Sequence, residues 1–156
     1  MRFGVLLIAC YALVATKWFE RLLEPVLLWS ARSTGIVLEL LGQRVQVTGA
    51  TLWGEHFAVE VKRGCDPVET WLFLAAAVVA FPVAARDRGL GLLLGAALLI
   101  PLNALRLTTL FLAGSLRREY FEFLHVEVWQ AAFVIAAVVF WLLWARWSLA
   151  RLPAAG

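Results

Sequence analysis

Apolar residues dominate four stretches of the chain, and polar residues between them separate these stretches. The stretches predict transmembrane helices at residues 3–24, 66–85, 90–113 and 125–147. The first apolar run is short, so we expect its helix to continue through a charged turn whose side chains share one face: Lys17, Glu20, Arg21 and Glu24. Residues 26–42 are amphipathic, which predicts a helix in the membrane interface, or a fifth crossing.

A period-two pattern marks a β-like segment at residues 44–63. Val45 and Val47 alternate with polar residues, and a second alternating run contains Val59 and Val61. Glycines lie between the two runs, so the pattern predicts one β-hairpin. Because an open hairpin cannot satisfy its backbone polar groups in hydrocarbon, we expect it outside the bilayer.

Short polar segments mark where the later helices begin and end. Asp66, Pro67 and Glu69 suit the N-cap, N1 and N3 positions of a helix. Residues 86–89 predict a tight turn, and residues 115–124 an interfacial loop or short helix. Counting crossings places the hairpin, the start of the second span, the end of the third and the start of the fourth on one side of the membrane.

Composition supports a membrane protein. The chain is 63% hydrophobic and only 16% charged, with a mean hydropathy of +0.84, whereas soluble domains are about half apolar and a quarter charged. We therefore expect one polytopic domain over residues 1–156, an all-α integral membrane bundle of four helices, or five if residues 26–42 cross. The first apolar run lacks a small-residue cleavage site, which predicts a retained anchor.

Charge and cysteine content exclude several functions. The net charge of +3 fits contact with lipid headgroups, and no basic soluble face suggests nucleic-acid binding. The two cysteines, Cys10 and Cys65, form no C-x-x-C motif, so we expect neither a metal site nor a cofactor.

Three polar residues meet on the shared membrane face. Arg106 lies inside an apolar helix, where an arginine costs several kcal/mol unless it finds partners or snorkels to headgroups. Cys65 directly precedes a helix start, whose dipole favours a thiolate, although an unreactive interfacial cysteine is the commoner interpretation. His125 opens the last span, and His56 in the hairpin is a rival for its role.

Two further residues are candidates for supporting roles. Asn103 lies one turn before Arg106 and is placed to hold the guanidinium, and Glu122 lies three residues before His125 and is placed to orient the ring. Together the main three supply a nucleophile, a cation for a developing oxyanion and a proton carrier. Their convergence on one membrane face favours catalysis.

Short motifs at these positions resemble the exosortase/archaeosortase family of membrane transpeptidases, and most closely its compact exosortase H type. The resemblance covers residues 40–147 and rests on residues 57–65, 81–82, 103–106, 110–114, 121–125 and 128–130. Family members are proposed to use a Cys/Arg/His triad, which falls on Cys65, Arg106 and His125. The family usually has Cys-x-Gly at the nucleophile, and here Pro67 replaces that glycine, which implies a different specificity or turnover.

The resemblance implies a specific class of substrate and a location. Substrates would be secreted proteins with a C-terminal sorting tail made of a short motif, a transmembrane helix and a basic cluster. The enzyme would lie among the lipids of the inner membrane, with its site on the extracytoplasmic face. The positive-inside rule argues against that orientation: basic residues on the expected outer side (Lys17, Arg21, Arg32, Arg44, Lys62, Arg63, Arg117, Arg118) outnumber those inside (Arg2, Arg86, Arg88, Arg146, Arg151).

Two non-catalytic functions compete with this hypothesis. One is a membrane scaffold or assembly partner that binds another protein through its hairpin. The other is a transporter or channel subunit with Arg106 as an ion or substrate contact, but four or five short spans with one buried charge form a poor pathway alone.

Overall fold

Helices form most of the fold in the computed structural model, which describes residues 2–151. The helices are α1 (Arg2–Val14), α2 (Lys17–Leu40), α3 (Val68–Ala80), α4 (Ala85–Leu116), α5 (Arg118–Phe123) and α6 (Trp129–Leu149), and a π-helical segment (Leu124–Val128) joins α5 to α6. The strands are β1 (Gln46–Thr48), β2 (Thr51–Trp53) and β3 (Ala58–Glu60). By length and composition, α4 and the continuous helix Arg118–Leu149 are able to cross a membrane, whereas α1 and α3 are apolar but shorter.

The first helix predicted at residues 3–24 is broken in the structure. The Thr16 hydroxyl donates to the Leu13 carbonyl at 2.7 Å and accepts from the Phe19 amide at 3.3 Å, so one side chain closes α1 and caps α2. The separate interfacial helix predicted at residues 26–42 is also wrong. Those residues mostly belong to α2, which continues through Pro25.

The predicted hairpin at residues 44–63 is a three-stranded antiparallel sheet. Strand β2 pairs with β1 on one side and β3 on the other, so the two runs expected to pair are separated by β2. A tight turn at residues 49–50 links β1 to β2, and Gly49 has a φ of +61° there, in the left-handed region that favours glycine. The extra strand was missed because its three residues are too few to show a period.

The later helices differ from their predicted bounds for local reasons. Helix α3 ends at Ala80 rather than near residue 85, since Pro82 keeps Phe81 in an extended conformation. Residues 86–89 form the first turn of α4 instead of a tight turn between helices. There the Arg88 guanidinium donates to the Phe81 carbonyl at 3.2 Å, and the Trp144 indole donates to the Asp87 carbonyl at 3.1 Å.

Helix α4 lies between the two largest buried clusters. One cluster joins it to α3 and α6, and the other joins it to α2 and the sheet. The close approach to α3 and α6 requires glycine, because a Cβ at Gly91 would lie 2.6 Å from Trp144 and one at Gly95 would lie 2.8 Å from Leu74. The packing fixes the position of the polar residues on α4.

Candidate active site

Gly64, Cys65 and Asp66 form the turn that joins the sheet to α3. Gly64 has a φ of +84°, again in the region that favours glycine. The buried Asp66 carboxylate accepts hydrogen bonds from the amides of Gly64 at 3.3 Å and Val68 at 2.9 Å, and the second of these caps the start of α3. This turn holds the cysteine directly before the helix.

The Cys65 side chain is half-buried against the cluster of α2, α4 and the sheet. Burial raises the pKa of the Cys65 thiol, and the nearby charge of Asp66 adds to this effect. The Arg106 charge and a main-chain hydrogen bond at Lys62 lower the same pKa, but by less. The raised pKa favours the neutral thiol over the thiolate, which is the nucleophilic form of a cysteine.

The Arg106 guanidinium connects the cysteine turn to the last helix. The residue is only 6% exposed, and its Nη1 donates to the Gly64 carbonyl at 3.2 Å. Its Nη2 lies 3.5 Å from Nδ1 of His125, and its Cζ lies 5.4 Å from the centre of the Phe133 ring. The cation thus has partners from three other segments, which offsets the cost of its burial.

His125 lies in the π-helical segment, a distortion often found at functional sites. Its ring stacks on Phe121 with centroids 5.5 Å apart and planes 9° apart, and Phe121 in turn packs edge-on against Phe57. The Trp129 indole anchors the end of this segment to α4 by donating to the Thr109 hydroxyl at 3.1 Å. These contacts orient the imidazole toward the guanidinium.

The two predicted supporting contacts are not formed. Asn103 is 2% exposed, but it makes no hydrogen bond to Arg106, and its Oδ1 has no partner among the described residues. Glu122 is exposed and makes no hydrogen bond to His125, whose ring stacks on Phe121 instead. The rival His56 is exposed in the loop between β2 and β3.

Sequence reasoning missed the groups that orient the candidate triad. The Gly64 carbonyl and Phe133 become neighbours of Arg106 only through tertiary packing. Phe121 was within reach of prediction, because it precedes His125 by four residues and such residues lie on one helix face.

Two cavities lie on opposite sides of the start of α3. A cleft of about 780 Å³ lies between α3 and α6, with Gly64, Asp66 and Arg106 at one end. A second cavity of about 460 Å³ lies between α2, α3 and α4, and Asn103 lines it. Arg106 and Asn103 therefore line different cavities. Among residues 2–151, no group of three His, Cys, Asp or Glu side chains is placed to hold a metal ion.

The fold and these residues define a helical membrane protein in which a cysteine turn, an arginine and a histidine from separate segments lie together. The family model of transmembrane exosortases, the EpsH type, matches residues 1–142, and the chain belongs to this family. The family is generally one of cysteine peptidases or transpeptidases that act on secreted proteins with C-terminal sorting signals. No curated protein and no solved structure shows a significant match to the chain.

Proposed function

We propose that this protein is a membrane cysteine transpeptidase or peptidase that removes the C-terminal sorting tail of secreted proteins through a thioester. The observation that most supports this function is the double contact of Arg106. Its guanidinium joins the carbonyl of Gly64, the residue before the cysteine, to the imidazole of His125. Cys65, Arg106 and His125 would supply the nucleophile, the cation and the proton carrier that acyl transfer requires.

Protonation states follow from the Arg106 contact. A guanidinium only donates hydrogen bonds, so the facing Nδ1 of His125 carries a lone pair and Nε2 carries the proton. The imidazole is neutral in this state. Nδ1 is then the only proton-accepting atom of the ring, so it receives the thiol proton after Arg106 Nη2 moves away from it, and it later releases that proton to the departing amine.

The reaction proceeds in two steps. Cys65 loses its proton toward His125, and its sulfur attacks the scissile carbonyl, whose oxyanion Arg106 stabilises with donors not used by Gly64 or His125. The C–N bond breaks as His125 protonates the amine, and a thioester remains. An acceptor amine or water then attacks the thioester, its proton passes to His125, and the thiol is regenerated.

We further propose a multi-pass arrangement of four crossings, with the site at the extracytoplasmic surface of the inner membrane. The sheet directly precedes the cysteine turn, and an open sheet needs water for its edge groups. Both features favour a site at the membrane surface rather than at its centre.

The proposal is tested by measuring tail removal in cells that produce a secreted protein with a C-terminal sorting tail. Cys65→Ala is expected to abolish removal, whereas Cys10→Ala, the matched loss of the other thiol, retains it. Trapping of a thioester on Cys65 that hydroxylamine releases would identify the intermediate. Unchanged tail removal by Cys65→Ala would overturn the proposed mechanism.

A further inference from the structure

The cleft between α3 and α6 is continuous with the candidate site. Gly64, Asp66 and Arg106 line one end of its volume of about 780 Å³, and the other end lies at Phe81 and Trp141. Cys65 does not line the cleft, but any long occupant ends at Gly64 and Asp66, the residues on either side of it.

The cleft walls are two helical faces. On α3 the lining residues include Thr70, Phe73 and Ala77, and on α6 they include Val134 and Ala137, all at spacings of three or four residues. Phe73 and Val134 are 40% and 59% exposed, so the apolar rim is open. Between Thr70 and Ala80 the α3 wall is about 15 Å long, close to three helical turns.

Small side chains on both walls favour a helix over a lipid chain as the occupant. Ala77 and Ala137 allow a neighbouring backbone to approach closely, which is how transmembrane helices pack, and an acyl chain has no need of such a stripe. Thr70 and Gln130 add polar groups near the site end, and the far end has one, the Trp141 indole N–H, which is buried without a partner among the described residues. The cleft thus matches a segment that is apolar for most of its length and becomes polar beside Cys65.

An unpaired donor at the site end also favours a peptide. The Nε of Arg106 is buried without a hydrogen-bond partner among the described residues, and Arg106 lines the end of the cleft. A peptide that leaves a helix and becomes extended has free backbone carbonyls to accept from a guanidinium.

We infer that the α3–α6 cleft binds the transmembrane helix of the substrate, and that this helix places the adjoining peptide bond at Cys65. The inference rests on the proposed function and adds the surface that recognises the tail. Recognition then depends on where the apolar helix begins relative to the scissile bond.

Filling the cleft tests the inference. Ala77→Trp and Ala137→Trp are each expected to slow tail removal at least about tenfold, because a large ring occupies the space of the helix. Ala131→Trp is the matched control, since Ala131 is exposed on α6 and does not line the cleft. It should retain the parent rate.

Cross-linking measures binding of the substrate helix in the absence of catalysis. Its result does not depend on whether the tryptophan variants fold. In a protein with Cys10→Ala and Cys65→Ala, a cysteine at position 137 is oxidised against single cysteines placed along the substrate helix. Disulfides are expected only at the neighbouring substrate positions, three or four residues apart, that face position 137 within reach of a disulfide. A cysteine at position 131 should form none.

The outcomes separate the two proposals. If Cys65→Ala stops tail removal but position 137 cross-links no better than position 131, the cleft inference is overturned and the proposed function survives. Lipid that copurifies in the cleft while Ala137→Trp remains fully active would overturn the inference in the same way. If Cys65→Ala still removes tails, the mechanism fails, whereas periodic cross-links would still support helix binding.

Discussion

Arg106 and Asn103 lie one turn apart on α4 and are both more than nine-tenths buried, with exposures of 6% and 2%. Their surroundings differ. Arg106 contacts the Gly64 carbonyl, His125 and Phe133, whereas the Asn103 Oδ1 has no hydrogen-bond partner among the described residues. Each also faces a different cavity.

The difference shows that two similarly buried polar residues on one helix have very different surroundings. Three segments supply partners to the guanidinium, which offset part of the energetic cost of its burial, although its Nε has no partner among the described residues. An unpaired buried amide oxygen lowers the stability of the folded protein by about 1–3 kcal/mol. For Asn103 no hydrogen bond among the described residues offsets this loss. The comparison predicts that the two residues respond oppositely to substitution.

The largest expected effect is the loss of the Arg106 cation. Arg106→Ala should lower the rate of tail removal by about 10²–10³-fold, as loss of an oxyanion donor does in other acyl-transfer enzymes. Arg106→Lys should recover little, because an ammonium on a flexible stem does not reproduce the planar contact to Gly64 and His125. The rate is measured from the time course of tail loss by immunoblot. If Arg106→Ala removes tails at a rate within tenfold of the parent rate, the expected contrast between Arg106 and Asn103 is wrong.

The next effect concerns the orientation of His125. Phe121→Leu removes the stacked ring and is expected to lower the rate about 10- to 100-fold, because small displacements of a reacting group are costly. Phe121→Tyr keeps the ring and should restore most activity, and Phe123→Leu is the control, since Phe123 is 61% exposed. If Phe121 acted only in folding, Phe121→Leu would leave the pH dependence of the rate unchanged. A role in orienting His125 therefore requires that this pH dependence be shifted in Phe121→Leu relative to the parent.

Arg106 should also control the acidity of Cys65. Burial holds the pKa of this thiol above its ordinary value while the Arg106 charge lowers it, so Arg106→Gln should raise the pKa further. Alkylation by iodoacetamide needs the thiolate, so its rate should rise with pH and its midpoint should move to higher pH in the variant. Mass spectrometry in a Cys10→Ala background measures the modification. A midpoint that stays in place or falls would contradict the assigned electrostatics.

The smallest effect on tail removal is expected for substitution of Asn103. Asn103→Leu replaces an unpaired amide by an apolar group of similar size, and it should leave tail removal within about twofold and raise the thermal stability of the detergent-solubilised protein. Asn103→Asp is the matched opposite change and should destabilise, because it buries a charge without a partner. Loss of activity in a folded Asn103→Leu protein would show that Asn103 acts at the site after all.

The helical class and the membrane character could be predicted from the sequence, because long apolar runs are local signals, and an arginine within one of them marked a candidate site that stays a prediction. The break at Thr16 escaped prediction since one hydroxyl serves two helices, which only geometry reveals. The third strand and the partners of Arg106 depend on contacts between distant segments. Contacts between distant segments leave no periodic pattern within a short stretch of the sequence.

The π-helical turn at Leu124–Val128 gives the last helix one residue more than an α-helical ladder accommodates. Deletion of a single residue here, such as Val126, would let the ladder close normally and would rotate everything before it by about 100° relative to α6. His125 would then turn away from Arg106 while the apolar length of the helix stayed almost the same. A one-codon deletion in this turn is therefore a change that hydropathy analysis would overlook and that the chemistry of the site would not tolerate.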